Sequence, residues 1–418
     1  MTKTGFLKLL CLFLFSLPVV VQAQEQLSFE KDTLFFTSNR KKVHLPFKLV
    51  HNLIVIPVRV NDSNPLNFIL DTGVKTPLIT RLYYSDSLSL VETNKVTIRG
   101  LGKGHTIEAL YSVGNKILMP GVKGEQQEVL VLLEDVFNLS VRMGMPLHGI
   151  IGYDIFKNFV VKINYSKELI TLYRPDIYLK KKRKAEEYPL HIEDSKPYIF
   201  AKIRQHTGDT LDVKLVIDTG ASNSLSLYLP SDNRLSLPPK VVEAYLGRGL
   251  GGDIHGKIGR LQAFQLGKYE LESIPASYPN EEAIQLALNV SDRNGNIGSD
   301  ILRRFTVVLD YPHQRMLLQP NRKLREPFHY NMTGFEISTP FPGTNYYVVT
   351  NVVEGSPAKM VGLQPGDELL FINGQDCSEL KLPQLLNLMD RDAGKKLRLR
   401  LKRETEILDV DLVLESRI

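Results

Sequence analysis

The sequence has 418 residues, a formal net charge of +6 and two cysteines. This length allows two or three domains, each with its own apolar core. So few cysteines exclude a disulfide framework and a cysteine-rich metal site, and the modest positive charge gives no support to a nucleic-acid-binding role.

The first 23 residues have the pattern of a secretory signal peptide. Lys3 and Lys8 are followed by an apolar run, and small residues lead up to Ala23. The run is short and wrongly flanked for a membrane span, and no later segment is longer and apolar. We therefore predict a signal peptide at 1–23, cleavage after Ala23, and an exported protein, periplasmic or secreted, without a stable membrane span. An uncleaved anchor is the alternative.

Cleavage would remove both lysines and Cys11, which leaves a net charge of about +4 and Cys377 alone. No intrachain disulfide could then form, and we expect Cys377 to be a small buried side chain. Much of the remaining charge lies in the run KKKRK at 180–184. We interpret this run as part of a solvated linker at 179–187, with an anionic-surface patch as the alternative.

The chain on either side of this linker repeats itself. An alternating apolar hairpin leads into FILDTG, which contains Asp71, and a second one leads into LVIDTG, which contains Asp218. Period-two alternation broken by Asn, Asp, Ser or Gly is typical of paired strands. The two acids are 147 residues apart, so a repeat of that length is expected to use one β-rich lobe twice.

Later segments repeat in the same order. A glycine-rich segment lies midway in each half, RGLGKGH from Arg99 and RGLGGDIHG from Arg248. Each half then closes alike, with GIIGYDIF from Gly149 and GNIGSDIL from Gly295. The sequence therefore predicts a first lobe at 24–178 and a second lobe at 188–323.

The pattern changes after the second lobe. Alternating strands, a Gly-Asp turn, a segment with helical spacing and a closing hairpin predict a third compact domain at 328–418.

The paired acids suggest a chemistry. Two carboxylates held face to face cannot both ionise easily, so the pair shares one proton near neutral or acidic pH. The charged acid can then take a proton from water while its partner donates to a carbonyl oxygen. Either Asp alone is an ordinary turn former that bonds its own backbone. The duplication is what favours catalysis.

ILDTG and VIDTGAS, together with the later segments GIIGYDIF and GNIGSDIL, resemble the pepsin/retropepsin-type aspartic proteases in their bacterial, retropepsin-like form. The resemblance spans most of residues 27–320. It implies a mainly β fold, in which two retropepsin-like acid-protease β-barrel lobes form a pseudo-dimer. It also implies a peptidase that needs no cofactor and no metal.

The resemblance assigns roles to residues of both halves. Asp71 and Asp218 would be the catalytic dyad, and the turns that hold them would be supported by Thr72, Gly73, Thr219 and Gly220. The glycine-rich segments would be flaps, with Gly100, Gly102, Gly249 and Gly251 as candidates.

Two positions depart from the family pattern. Val74 stands where many relatives carry Ser, Thr or Ala, while Ala221 is retained after the second turn. Asn296 replaces the first apolar residue of the Gly-apolar-apolar-Gly step in the second half. Neither change removes a group that the chemistry requires.

Other motifs have simpler interpretations. Asp154 and Asp300 directly precede short apolar runs, and we interpret them as helix N-caps. The glycine-rich segments lack the strand-loop-helix context of a phosphate-binding loop, which favours hairpin tips.

GSPAKMVGLQPGDELLFINGQ, residues 355–375, is similar to PDZ domains of bacterial proteases. Such domains add an extended peptide, often a C-terminus, beside an exposed strand. The resemblance implies that backbone N–H groups near Gly334 and Phe335 hold the terminal carboxylate, and that Ile337, Leu385 and Met389 line the pocket. A module that only packs on the protease and orders its cleft is the alternative.

Together these features predict an exported aspartic-type endopeptidase that cleaves extended polypeptides, with a PDZ domain that recruits or positions the substrate. Two alternatives stay open: a non-catalytic peptide-binding scaffold with a protease-like fold, and a processing enzyme with one substrate recruited through the PDZ groove.

Overall fold

The computed structural model describes residues 34–83, 86–102, 106–178 and 185–418. The predicted signal peptide and the KKKRK run therefore lie outside the described residues. Within the described parts the protein is mainly β, as the sequence predicts. No helix in these parts has both the length and the apolar character needed to cross a membrane.

The first half, up to residue 178, contains two short helices, α1 (Leu139–Met143) and α2 (Tyr153–Asn158). Its strands are β1 (Phe35–Phe36), β2 (Lys42–Pro46), β3 (Lys48–Val50), β4 (Leu53–Val60), β5 (Leu66–Leu70), β6 (Leu78–Ile79), β7 (Thr93–Ile98), β8 (Ile107–Met119), β9 (Val122–Leu132), β10 (Gly149–Ile151), β11 (Val160–Asn164) and β12 (Leu169–Tyr173).

The second half contains α3 (Glu281–Val290) and α4 (Ser299–Leu302). Its strands are β13 (Glu186–Pro189), β14 (His191–Glu193), β15 (Lys196–Arg204), β16 (Thr210–Ile217), β17 (Leu225–Leu227), β18 (Val241–Gly249), β19 (Gly252–Leu266), β20 (Tyr269–Pro279), β21 (Gly295–Ile297), β22 (Phe305–Asp310) and β23 (Arg315–Pro320). Strand β13 begins at Glu186, inside the segment 179–187 that we predicted as linker.

The C-terminal domain contains α5 (Pro357–Met360) and α6 (Leu382–Met389). Its strands are β24 (Phe335–Ser338), β25 (Val348–Val352), β26 (Glu368–Ile372), β27 (Gln375–Asp376), β28 (Lys396–Arg403) and β29 (Glu406–Val413). Single 3₁₀ turns lie at Tyr165–Lys167, Pro175–Ile177, Leu229–Ser231, Arg322–Arg325 and Cys377–Glu379. Cys377 is buried, as expected.

The two halves share their local strand pairings. In the first half β10 runs parallel to β5 and antiparallel to β6. In the second half β21 runs parallel to β16 and antiparallel to β17. The strands that lead to the two acids, β5 and β16, are each covered on both faces at their final residues, which explains their continuous apolar runs.

A six-stranded sheet joins the halves in the order β13-β23-β22-β11-β12-β2. Three of its strands come from each half, and its central pair is β11 with β22, where Val161 lies opposite Leu309. Apolar residues of both halves belong to one buried cluster. The interpretation as a pseudo-dimer stays a prediction, and these shared pairings are the structural basis for it.

The predicted N-caps are wrong in detail. Gly152 and Gly298 occupy the N-cap positions of α2 and α4. Asp154 and Asp300 are therefore the second residues of these helices and lie in the first turn. Acids there still interact favourably with the helix dipole. Asp300 also accepts a hydrogen bond from Ser224 and pairs with Arg303, 2.8 Å away.

The C-terminal domain packs against the first half. Its sheet has the order β24-β25-β26-β28-β29, with β24 at one edge. The N–H of Thr339, just after β24, donates to the carbonyl of Val141 at 3.1 Å, and Gly343 N–H donates to Gly144 O at 3.1 Å. Helix α6 lies against β3.

Candidate active site

Each predicted catalytic acid stands at the carboxyl end of a buried strand. Asp71 follows β5, and its N–H donates to Ile151 O of the parallel neighbour at 2.9 Å. Asp218 follows β16, and its N–H donates to Ile297 O at the same distance. Both acids have no solvent-exposed surface, so any charge on them needs compensation by the surrounding protein.

The glycine two residues after each acid provides part of that compensation. Gly73 N–H donates to Asp71 Oδ1 at 2.7 Å, and Gly220 N–H donates to Asp218 Oδ1 at 3.0 Å. Close packing explains why glycine is needed. A methyl carbon on Gly220 would lie 2.3 Å from Asp71 Oδ2, and one on Gly152 would lie 1.7 Å from Asp71 O. The second turn therefore lies directly against the carboxyl group of the first.

Thr72 and Thr219 link the two turns, as the resemblance implies. Each backbone N–H donates to the other residue's hydroxyl oxygen at 3.1 Å. Each hydroxyl in turn donates to a strand carbonyl of the opposite half, Thr72 to Ile217 O at 2.6 Å and Thr219 to Leu70 O at 2.9 Å. Acids 147 residues apart in sequence are thus held in one hydrogen-bonded unit.

Burial changes the acidity of both carboxyl groups. It raises the pKa of Asp71 from 3.8 to about 7, against the opposing hydrogen bond from Gly73. Burial, followed by the negative charge of Asp71, raises the pKa of Asp218 well above its usual value. At acidic to neutral pH the pair therefore retains at least one proton, which is the state that dyad chemistry requires.

The two carboxyl groups have unequal partners, although the residues after their turns, Val74 and Ala221, do not cause the difference. Both side chains are apolar and buried, so neither donates to an acid. Asp71 Oδ2 has no hydrogen-bond partner among the described residues. Asp218 Oδ2, in contrast, accepts a hydrogen bond from the side-chain amide of Asn296 at 3.0 Å.

Sequence reasoning noted Asn296 as a departure but missed this contact. It also missed Arg293, a buried arginine whose positive charge opposes the rise in the pKa of Asp218. The available signal was the polar Asn296 in a Gly-apolar-apolar-Gly step that is wholly apolar in the first half.

The predicted flap glycines meet across the two halves. Gly102 and Gly251 form a β-bridge, and Gly251 N–H donates to Leu101 O at 2.8 Å. A methyl carbon on Gly249 would lie 2.2 Å from Leu101 O, and one on Gly251 would lie 2.7 Å from Gly100 O. Only glycine permits this approach, while residues 103–105 lie outside the described chain.

The leucines of these segments are exchanged between the halves. Leu101, from the first half, belongs to a buried cluster of the second half that includes Ala221. Leu250, from the second half, belongs to a cluster that includes Val74 of the first. Both halves therefore contribute buried side chains to the clusters next to the two acid-bearing turns.

Comparison with known protein families identifies two domains in the chain. Residues 203–301, which include Asp218, match the aspartyl protease family. The chain contains an aspartyl protease domain. Residues 348–403 match the PDZ domain family, so a PDZ domain follows it. No curated protein matches the chain.

The turn predicted to bind a peptide carboxylate has both of its predicted N–H donors occupied by other groups of the turn. Gly334 has a φ of +77°, and a methyl carbon there would lie 2.1 Å from Ser356 Cβ. Its N–H donates to Asn331 Oδ1 at 2.9 Å, and Phe335 N–H donates to Thr333 Oγ1 at 3.4 Å. Both predicted carboxylate donors are therefore engaged within the turn.

Beside this turn lies a cavity of about 580 Å³ between the PDZ domain and the aspartyl protease domain. Two of the three predicted pocket residues line it, Ile337 and Met389, and so does Phe335. The third, Leu385, is fully buried in the same cluster as Phe335. The opposite wall comes from both halves of the chain and includes His51, Arg142, Ser222 and Asn223.

Proposed function

We propose that this protein is an exported aspartic-type endopeptidase in which Asp71 and Asp218 activate a water molecule. The observation that carries this proposal is the reciprocal pairing of the two Asp-Thr-Gly turns. Structural turns of this kind have no need to face each other, whereas a dyad requires it. The raised pKa of both acids supports the same assignment, since perturbed carboxyls cluster at functional sites.

The reaction uses one shared proton. The anionic carboxylate removes a proton from water as its oxygen attacks the peptide carbonyl, and the protonated acid donates to the carbonyl oxygen. Water is the nucleophile, so no covalent enzyme intermediate forms. The dry surroundings of the two acids strengthen each electrostatic interaction.

The proposed substrate is an extended polypeptide segment that lies between the halves. The buried acids and the Gly102–Gly251 bridge support a cycle in which the flaps open, admit the chain and close over it. We therefore expect cleavage of unfolded or extended regions.

The PDZ domain is proposed to recruit or position peptide. The cavity between it and the protease supports this role, because a bound segment there would contact Ser222 and Asn223, shortly after the second catalytic turn. The hydrogen bond from Thr339 to Val141 supports the alternative, in which the domain packs on the protease and orders it. The processing-enzyme variant of the proposal would use the same cavity for one preferred substrate.

The competing function is a peptide-binding scaffold that does not cleave. The full burial of both acids is the observation that favours it. The two functions differ in their use of the dyad, because a scaffold has no need of a shared proton.

The deciding experiment incubates the protein lacking residues 1–23 with a reduced, unfolded protein at acidic to neutral pH. Asp71→Asn and Asp218→Asn should each abolish cleavage. Asp212→Asn is the matched control, since Asp212 lies on β16, the strand that leads to Asp218, but is exposed. Cleavage that survives in both dyad variants, or peptide binding without cleavage at any pH, would refute the peptidase.

A further inference from the structure

Three buried side chains, Asn296, Tyr228 and Arg293, form a chain of contacts that ends at Asp218. Asn296, on β21, is 1% exposed and donates from Nδ2 to Asp218 Oδ2 at 3.0 Å. The Tyr228 hydroxyl donates to Asn296 Oδ1 at 3.5 Å. The Arg293 guanidinium lies 5.4 Å from the centre of the Tyr228 ring and is also buried. The amide is thus oriented from one side by Tyr228 and is aimed at the acid on the other.

Among the described residues of the first half, no polar side chains occupy the positions that correspond to Asn296 and Arg293. Strand pairing identifies the corresponding positions, because Ile150 lies opposite Leu78 on β6 as Asn296 lies opposite Ser226 on β17. Thr80 donates its N–H to His148 O as Tyr228 donates to Asn294 O, both at 2.8 Å.

Counting three residues back from Ile150 and from Asn296 places Leu147 where the second half has Arg293. The first half therefore has apolar Ile150 and Leu147, both buried, at the positions of Asn296 and Arg293.

This difference makes the two carboxyl groups unequal. Asp218 accepts a hydrogen bond on each oxygen, from Gly220 and from Asn296. Asp71 accepts one on Oδ1 only, and its buried Oδ2 has no partner among the described residues. A carboxylate anion is stabilised by donors on both oxygens, whereas a neutral carboxyl group needs no donor on its protonated oxygen, which instead donates to an acceptor such as a substrate carbonyl.

We propose that Asn296 is a positioning residue that fixes the roles within the dyad: Asp218 is the carboxylate that deprotonates water, and Asp71 carries the shared proton on Oδ2. This inference rests on the proposed peptidase function. The positive charge of Arg293 lowers the pKa of Asp218, but burial and the charge of Asp71 outweigh it and leave that pKa raised. The assignment therefore rests on the unequal hydrogen bonds of the two carboxyl groups and not on their pKa.

The assignment gives a balanced reaction. Water oxygen bonds to the peptide carbon, its proton passes to Asp218, and the proton of Asp71 passes to the carbonyl oxygen. When the carbon–nitrogen bond breaks, Asp218 returns its proton to the leaving amine. A hydroxyl proton of the intermediate returns to Asp71, so the dyad ends as it began.

The test is the pH dependence of kcat/KM for an unfolded protein substrate. Asn296→Ile introduces the first-half residue and removes the donor to Asp218. The acidic limb of the profile, which reports ionisation of the anionic acid, should move to higher pH by about 1 unit, since a hydrogen bond to a charged group changes a pKa by this amount. Ile150→Val, at the corresponding position of the first half, should leave the limb in place.

Tyr228→Phe provides a second variant that removes a single hydroxyl. It should move the acidic limb in the same direction by a smaller amount, because the amide stays but loses its orienting partner. Thermal unfolding verifies that each variant is folded. If Asn296→Ile does not fold, the Tyr228→Phe profile decides, and an unchanged acidic limb overturns the inference.

Two failures are distinguishable. If Asp71→Asn and Asp218→Asn still cleave, the peptidase proposal itself is wrong. If both are inactive while Asn296→Ile keeps the wild-type acidic limb, or moves it to lower pH, the dyad stands and only the role of Asn296 is wrong. A merely structural role for Asn296 would lower stability at every pH without moving the limb.

Discussion

Thr72 and Thr219 exchange backbone-to-hydroxyl hydrogen bonds of 3.1 Å across the two halves of the chain. Each hydroxyl also donates to a carbonyl at the end of the strand that leads to the opposite acid, Ile217 or Leu70. Four buried hydrogen bonds thus make the position of each acid depend on the other half. Stability and activity should therefore respond together when this link is broken.

Replacing Thr219 with valine keeps the shape of the side chain and removes the hydroxyl. Thr72 N–H and Leu70 O would then lose their partner in a buried site. Because each unsatisfied buried group costs about 1–3 kcal/mol, we expect a loss of about 2–5 kcal/mol in the free energy of unfolding, measured with urea, and a strong loss of cleavage. Thr219→Ser retains the hydroxyl and should stay close to wild type. A valine variant of wild-type stability would show that the link is unimportant.

Gly220→Ala tests the close contact between the turns. The new methyl carbon would lie 2.3 Å from Asp71 Oδ2, so the carboxyl group must move. Displacing a reacting group by about 1 Å can cost on the order of 100-fold in rate, and we expect at least this loss in kcat. Gly208→Ala is the control, since its methyl would meet nothing within 4 Å although φ is +91°. It should cost stability of about 1 kcal/mol without affecting kcat. Equal activity of the two variants would contradict the geometry.

The raised pKa of Asp71 has a consequence for stability. Below pH 3.8 this carboxyl is protonated in the folded and unfolded states. Between 3.8 and about 7 only the folded state retains the proton, so stability falls as pH rises through this window. Asp71→Asn cannot ionise and should therefore gain stability relative to wild type at alkaline pH, by as much as about 4 kcal/mol, but not at acidic pH.

Urea unfolding of wild type and Asp71→Asn at both pH values measures this difference. Asp212→Asn, at an exposed site on β16, should show no such pH dependence. A constant difference between Asp71→Asn and wild type at all pH values would mean that the acid ionises freely in the folded protein.

Local sequence pattern predicted the features that depend on short segments. The alternating hairpins before Asp71 and Asp218 became β4–β5 and β15–β16, because alternation and turn residues specify strand pairing within a hairpin. The repeat placed both acids at strand ends, which the structure confirms for each half separately.

The relations between distant segments could not be predicted in this way. Asn296 contacts Asp218 because β21 pairs with β16, and nothing in either segment encodes the direction of that amide. The exchange of Leu101 and Leu250, and the orientation of the PDZ groove toward the protease, depend on packing between halves and domains. The N-cap of α2 also depends on a contact between distant segments. Gly152 occupies this position because a methyl carbon there would lie 1.7 Å from Asp71 O.

The exchanged flap leucines should control access to the dyad. Leu101 is 1% exposed and packs in the second half. Truncation in Leu101→Ala removes most of this buried contact and should weaken closure, since such changes cost about 2–5 kcal/mol. Amide hydrogen exchange at Gly251, whose N–H donates to Leu101 O, should become faster. Leu82→Ala, at an exposed leucine, is the control. Unchanged protection at Gly251 would show that the leucine does not hold the flaps together.

Arg304 holds the segment that connects the protease to the PDZ domain. Its buried guanidinium donates to the carbonyls of Lys323 at 3.0 Å and Pro327 at 3.3 Å, and it stacks on the Phe328 ring 3.5 Å away. Arg304→Ala leaves these carbonyls without their donor, so we expect a loss of about 3–5 kcal/mol and faster proteolytic cleavage in the connecting segment.

Arg304→Lys is the matched variant for this segment. Lysine keeps the charge, but its single ammonium cannot reproduce the planar fork that reaches several carbonyls and the ring at once. It should therefore recover only part of the lost stability. Limited proteolysis followed by mass spectrometry locates the cut, and a wild-type digestion pattern in Arg304→Ala would mean that the PDZ domain is held in place by its contacts with Val141 and Gly144 instead.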